Sequence, residues 1–253
     1  MHNKYQICDK VDIENTIYES WKQTPTQFIK DGTDITEYQN WFDSTLSIKD
    51  AASKGFIDFY SRILTPDLFS IIGDPRSLNS LEIGCGGGRL ITPAAKIFNK
   101  SYGVDILNEE CLAITSNFIK NNGVDNFNLL NYNEIDKIEN RSISFIYSFI
   151  VFQHFSSIKY FYSYMDFIDR ILTKNGCCNI FFAINIHDDK DYFFDKSFKD
   201  GDRNCTMYYK PEFVINVLQK KYNFEIISAG QTTKHPWSSK EKLSNQFFVK
   251  FKR

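Results

Sequence analysis

Leu81-Glu82-Ile83-Gly84-Cys85-Gly86-Gly87-Gly88 is the stretch that decides how this chain is read. An apolar strand end and an acidic residue run into four glycines within five positions. That composition suits a backbone that must turn sharply while another group lies close against it.

Outward from this turn, short apolar runs alternate with stretches of helical periodicity, the pattern of βαβ units around a mainly parallel sheet. Ser77 to Ile83 is predicted as the first strand and Arg89 to Phe98 as the helix after the turn. Tyr102 to Ile106, Phe127 to Tyr132, Ile143 to Ile150 and Cys177 to Ile186 read as the next strands. Helices are predicted over Glu109 to Lys120, Ser157 to Leu172 and Pro211 to Tyr222, with Asn175-Gly176 as a stop signal before the fifth strand. Phe224 to Ser228 and Gln246 to Phe251 read as an antiparallel pair joined by the loop from Gly230 to Lys242. The expected fold is therefore α/β, a seven-stranded, mainly parallel, doubly wound sheet whose last strand is antiparallel.

Before Pro75 the apolar residues recur at helical spacing, as in Ile13, Ile17 and Trp21 and again in Phe56, Ile57, Tyr60, Ile63 and Leu64. Residues 1–75 are expected to form an N-terminal helical cap and residues 76–253 the main domain. Tyr18, Trp21, Tyr38, Trp41 and Asp43 are candidates for a pocket wall, although aromatic residues at helical spacing read first as core. The segment from His187 to Arg203 is too charged for core and is expected as an insertion over the strand ends.

The 253 residues carry a formal net charge of −1, with 42% hydrophobic and 16% aromatic residues. So much apolar surface excludes a disordered chain. The near-zero charge lacks the basic stripe of a nucleic-acid binder, which favours a small-molecule partner over nucleic acid. No apolar run reaches the ~20 residues of a membrane span, so no membrane insertion and a cytoplasmic location are expected. The six cysteines show neither metal-ligand spacing nor a small secreted framework, and are expected as free thiols. The abundance of Asn, Lys, Ile and Phe hints at a bacterium of low GC content.

In an open α/β sheet a ligand binds beyond the carboxyl ends of the strands, where the strand order reverses. The glycine turn lies there, and the residue chain after Gly88 opens a helix whose first N–H groups favour an anion. Asp105, ending the second strand, stands the usual ~20 residues beyond the turn, where a carboxylate accepts from ribose hydroxyls. A dinucleotide fingerprint requires glycine at its sixth position; counted from Gly84 that position is Arg89, which weakens the dinucleotide reading.

These residues resemble the class I S-adenosylmethionine (SAM) dependent methyltransferases. Leu81 to Gly88 matches their first motif, and Tyr102-Gly103-Val104-Asp105-Ile106 matches the segment with the ribose-binding acid; the resemblance spans about Ser77 to Arg253 and hardly touches the cap. It implies SAM as cofactor, with Gly84, Cys85 and Gly86 along its methionine part. It further implies Glu82 orienting the turn and the amino group, Asp105 on the ribose and Ile106 on the adenine. Asn133 stands where the family commonly has an Asp facing the adenine amino group, and Phe149, after Ser148, would lie beside the sulfonium. Ser144 replaces an acidic residue common early in the fourth strand.

Methyl transfer to a hydroxyl is aided by a base titrating near neutrality, which makes histidine the natural choice. His154, beyond the fourth strand, is the first candidate, against the plainer role of ordering its loop. His187 is the second; with Asp188 and Asp189 it could hold a divalent metal, although a solvated loop is the plainer reading. The expected acceptor is a small polar molecule, foremost a hydroxyl of a sugar, nucleotide-sugar or saccharide precursor. A SAM-binding scaffold without turnover, an N-methyltransferase and an RNA methyltransferase remain as alternatives.

Overall fold

A computed structural model of the chain describes residues 10–27, 35–43, 47–186, 189–195, 205–233 and 243–253. Among the described residues nine strands follow one another: β1 (Asn79–Ile83), β2 (Lys100–Asp105), β3 (Phe127–Asn131), β4 (Ile143–Ser148), β5 (Leu172–Ala183), β6 (Tyr192–Phe194), β7 (Met207–Tyr209), β8 (Glu225–Thr233) and β9 (Leu243–Lys252). Seven of them form one sheet in the order β3-β2-β1-β4-β5-β9-β8, and β6 pairs with β7 apart from it. The pairings among β1 to β5 are parallel, whereas β9 runs antiparallel to both β5 and β8. The order reverses between β1 and β4, beside the glycine turn, which opens a crevice at that point.

The helices are α1 (Lys10–Gln27), α2 (Ile35–Asp43), α3 (Ile48–Asp58), α4 (Pro66–Ile72), α5 (Ile91–Ala95), α6 (Glu109–Asn121), α7 (Ile158–Ile171) and α8 (Pro211–Lys220). Alternate residues of a strand point to opposite faces, so the central strands bury apolar side chains on both. Ile146 of β4 packs in one core with Met165 and Ile168 of α7 and Val214 of α8. Its neighbours Phe145 and Tyr147 pack on the other face with Phe59, Ile63 and Leu68 from the segment before Pro75. Ser157 caps α7, accepting from the Lys159 N–H, and the long apolar stripe of that helix explains why it was legible as sequence.

Four local expectations are corrected. The predicted helix from Arg89 to Phe98 shrinks to Ile91–Ala95, since Gly88 sits at φ +87° and still belongs to the turn. β5 starts at Leu172 rather than after Asn175-Gly176: its register on β4 jumps from Leu172 to Cys177, so the turn residues form a bulge inside the strand. α3 continues into a π-helical turn over Phe59–Ile63, closed by the Leu64 N–H on the Phe59 carbonyl at 2.8 Å. The extra residue rotates the helix face, which leaves Ile57 and Tyr60 47% and 45% exposed while Phe59 and Ile63 are buried. β8 and β9 both outrun their predicted ends, and the added residues from Thr232 to Gln246 that are described reach the crevice.

Candidate functional site

The glycine turn is held from three sides. The Gly84 N–H donates to the Val104 carbonyl at 2.7 Å and the Gly88 N–H to the Cys85 carbonyl at 2.8 Å, which closes a tight turn. Gly84 sits at φ +74° and Gly86 at φ +45°, conformations that disfavour any residue with a Cβ. At Gly84 an added Cβ would also stand 2.2 Å from Val151 Cγ2, so the β4 loop can close on the turn only over glycine. The Gly86 carbonyl accepts from Thr115 Oγ1 of α6, and the Gly87 carbonyl from Gln39 Nε2 of α2.

Asp105 reaches across from the end of β2. One carboxylate oxygen accepts from the Gly86 N–H at 2.8 Å and the other from its neighbour Ile106 N–H at 2.7 Å. Burial raises its pKa above the ordinary 3.8, and backbone N–H groups of Gly86, Ile106 and Leu107 oppose that rise. The lone pairs that these N–H groups leave open can accept from a ligand hydroxyl. Burial pushes the Cys85 thiol well up, helped by Asp105 and Glu82, so it is a packing residue of the wall and no nucleophile.

Glu82, Gly84, Cys85, Gly86, Asp105, Ile106 and Phe149 all line one cavity of about 860 Å³. Asn133 does not. Its predecessor Asn131 forms a capping box that starts a 3-10 turn, so Asn133 is exposed and Tyr132 takes the place in the wall. Phe149 stands edge-on to Phe181, beneath the Arg89 guanidinium. Next to it Ile150 adopts φ +62°, a strained conformation for a β-branched residue, where the chain leaves β4.

The helices before Pro75 cover the other side. Tyr18 and Trp21 of α1 and Trp41 and Phe42 of α2 line the cavity, so three of the five aromatic and acidic candidates stand in its wall and not in a separate core. Tyr38 is core: it is buried, and its hydroxyl lies 3.0 Å from Thr115 Oγ1 and 3.1 Å from the Cys111 carbonyl. The Asp43 side chain lies outside the described residues.

His154 lines the same cavity, its ring 4.3 Å from that of Trp21. Its Nε2 lies 3.2 Å from Gln153 Nε2, and the Gln153 side-chain carbonyl accepts from Gln246 Nε2 of β9 at 2.6 Å. With that carbonyl engaged, the Gln153 amide turns its NH2 to the ring, which makes His154 Nε2 the acceptor. The short β6–β7 unit braces this loop: the Thr206 N–H donates to the Gln153 carbonyl, Thr206 Oγ1 to Phe155 and the Tyr209 hydroxyl to Phe152. Of the expected insertion, β6 contributes by pairing with β7, the strand beside these braces. His187 and Asp188 lie outside the described residues. Asp189 is exposed, 4.0 Å from Lys210 Nζ, and no group of three metal-ligating side chains occurs among the described residues.

A cluster of three charged residues was not foreseen from the sequence. The Asp58 carboxylate lies 2.5 Å from Arg89 Nη1 and 3.3 Å from Arg62 Nε, and all three side chains are mostly buried. Arg62 Nη1 also donates to the Thr233 carbonyl at 3.1 Å. Gly55 permits this packing, since a Cβ there would stand 2.2 Å from the Arg89 carbonyl. The i,i+4 spacing of Asp58 and Arg62 was visible in the sequence; their convergence on Arg89 was not.

The cavity fits a nucleoside cofactor with a short charged tail. A two-oxygen acceptor at Asp105, apolar surface at Ile106 and Leu107, and a side-chain-free path along Gly84 to Gly87 line it in succession. Its volume, near the top of the ~300–1,000 Å³ range of small-molecule sites, leaves room for a second molecule. Residues 81–180 match the sequence family described as a methyltransferase domain. No curated protein matches the chain. A SAM-dependent methyltransferase of Methanosarcina mazei superposes with a TM-score of 0.58 at 14% identity, over 76% of this chain and 98% of that one. One of Clostridium acetobutylicum gives 0.55 at 14%, over 85% and 95%. A Haemonchus contortus phosphoethanolamine N-methyltransferase, in complex with phosphoethanolamine and S-adenosylhomocysteine, gives 0.64 at 12%, over 98% of this chain and 51% of that one. At such identities the structures establish the fold. Residues 81–180 thus carry the methyltransferase-domain match within a fold that the whole sheet shares with these structures.

Proposed function

We propose that the protein transfers a methyl group to a hydroxyl of a small polar acceptor, foremost a sugar, nucleotide-sugar or saccharide precursor, with His154 as the base. Bound SAM supplies an electrophilic methyl group on a positively charged sulfur. Glu82, Gly84, Cys85 and Gly86 would hold its amino-acid part, Asp105 its ribose, and Ile106 and Tyr132 its adenine. In this reading residues 1–75 form a cap that closes over residues 76–253 and keeps bulk water from the reacting atoms. Phe149 presents an apolar face where the methyl is expected, and alignment does most of the work of an in-line displacement. His154 takes the hydroxyl proton on Nε2 once the acceptor hydroxyl displaces the Gln153 NH2, which donates to the one lone pair of that nitrogen in the free protein.

One observation carries this reading: an acceptor nitrogen, His154 Nε2, shares a single cavity with the glycine turn and Asp105. The test is a panel of hydroxyl-bearing metabolites, with nucleotide-sugars included, incubated with isotopically labelled SAM and read by mass spectrometry with and without a chelator. A labelled hydroxyl product supports it, and labelled amines alone would overturn it. A second reading, transfer to an amine, is favoured by the aromatic wall of Tyr18, Trp21, Trp41 and Tyr160, which attracts a cation. Amines in the same panel separate the two.

A further inference from the structure

His154 sits in a short 3-10 turn, Phe152–His154, and its ring meets the indole of Trp21 with centroids 4.3 Å apart and planes tilted by 46°. Trp21 belongs to α1, so this contact joins the segment before Pro75 to the loop after β4.

A run of ring contacts holds the indole there. Trp41 stands edge-on to Trp21 at 5.1 Å, and Phe42 edge-on to Trp41 at 4.8 Å. Phe42 in turn rests on the glycine turn, where a Cβ at Gly86 would stand 2.8 Å from Phe42 Cδ1. Both ring pairs have the edge-to-face geometry that aromatic side chains prefer. The candidate base is thus tied, ring by ring, to the turn assigned to the cofactor.

Packing alone does not account for an indole at position 21. Its Nε1 is buried with no hydrogen-bond partner among the described residues. A buried donor left unpaired is costly, and an apolar residue would fill the wall without that cost. What tryptophan adds is the most strongly negative π face of any side chain, which attracts a cation within about 6 Å of the ring centroid. His154 is neutral while Gln153 donates to its Nε2. It becomes a cation once that nitrogen holds the hydroxyl proton, the electron pair of the O–H bond staying on the oxygen that takes the methyl.

We infer that Trp21 is a positioning residue for the base: its indole fixes the plane of the His154 ring and favours the imidazolium that proton transfer creates. This rests on the reading of His154 as the base. The two partners of the ring act in opposite directions, since the Gln153 amide favours the neutral form and Trp21 the charged one. Displacement of that amide by an acceptor hydroxyl therefore strengthens the base when the substrate is in place.

Other titratable groups surround this loop. Tyr18 of α1 stacks on Tyr160 of α7, Tyr164 of α7 stacks on Phe155, and Tyr209 of β7 donates to the Phe152 carbonyl. Burial raises the pKa of Tyr18, Tyr164 and Tyr209, so these three stay neutral near pH 7. Glu19 and Lys22 of α1 pair with each other at 3.9 Å, and Lys159 is exposed. The charged residues of the cavity wall, Lys54, Asp58, Arg62, Glu82, Arg89 and Asp105, are common to the parent and to every variant at position 21. A difference between those variants reports the indole.

The test is an NMR titration of the purified protein labelled in its four histidines, the His154 signal being assigned by its loss in His154→Gln. Trp21→Leu is expected to lower the His154 pKa by about half a unit or more, because the charged form loses its π face. Trp21→Phe keeps a weaker face and should lower it by less; where Trp21→Leu does not fold, this variant decides. In turnover of the SAM-loaded enzyme, the acid limb of kcat/KM should move to lower pH by the same amount while the plateau falls. A His154 pKa that is unchanged or raised in the folded variants overturns the inference alone. Near-parental turnover of His154→Ala overturns the base reading and the inference with it.

Discussion

Asp105→Asn is the substitution with the most to say about the cofactor. The change keeps the shape of the side chain but converts one of two acceptor oxygens into a donor. In the parent, both oxygens already accept a backbone N–H, from Gly86 and Ile106. The carboxylate edge that the backbone leaves open is the one assigned to the two ribose hydroxyls. Hydrogen bonds to a charged acceptor contribute about 1.5–3 kcal/mol each, and the lower figure suits a half-buried carboxylate. Two at ~1.5 kcal/mol, less about 1 kcal/mol for the neutral bond that Asn retains, leave a loss of ~2 kcal/mol, or roughly 30-fold in Kd. The pH dependence is a second, independent signature. Burial raises the Asp105 pKa above 3.8 in the free protein, and hydroxyls bonded to the carboxylate would lower it in the complex. Affinity is therefore full above the raised pKa of the free protein. It falls as pH drops through that value, and stops falling below the pKa of the complex. The loss begins at a higher pH than an ordinary aspartate would give, and in Asp105→Asn it should vanish. Isothermal titration with SAM across pH measures both. A Kd within about threefold of the parent, or an acid-side loss that persists in the variant, refutes the ribose assignment.

Other substitutions test other links. His154→Ala should keep SAM affinity while lowering turnover by about 10²–10⁴-fold, the usual contribution of a positioned base, and near-parental turnover removes it from that role. Gly84→Ala combines φ +74° with a Cβ 2.2 Å from Val151 Cγ2, so thermal denaturation should show a loss of at least ~2 kcal/mol together with lost SAM binding. A folded variant of parental affinity contradicts that geometry. Ile150→Gly works in the opposite direction: relief of strain at φ +62°, less the entropy cost of glycine, should stabilise by about 1 kcal/mol and raise Tm by ~2–4 °C. An unchanged or lower Tm means that Ile150 is not strained.

The cofactor half of the site was legible in sequence because it is local. Glu82 to Gly88 and Asp105 to Ile106 lie at the ends of two neighbouring strands, so spacing along the chain reports their meeting in space. The capped, amphipathic α7 and the closing β8–β9 pair were legible for the same reason. Misreadings arose where local chemistry served a different purpose. Asn175-Gly176 has the composition of a turn, yet it makes a bulge inside β5, and Asn133 was displaced from the wall by the capping box of Asn131. In the acceptor half Trp21 and His154 stood out as single candidates, but their neighbours did not. Trp21, Arg62, His154, Thr233 and Gln246 come from five separate elements, and no spacing in the chain predicts that convergence. Even the π-helical turn that carries Arg62 leaves no periodicity to read, because a single extra residue creates it.

Calorimetric titration of the purified protein with SAM, and in parallel with NAD, tests the central claim most directly. The glycine turn with Arg89 at the sixth position and Asp105 at the end of β2 predicts saturable binding of SAM at one site per chain, near micromolar Kd or about −8 kcal/mol, and no binding of NAD. Saturable NAD binding with no heat from SAM would contradict it.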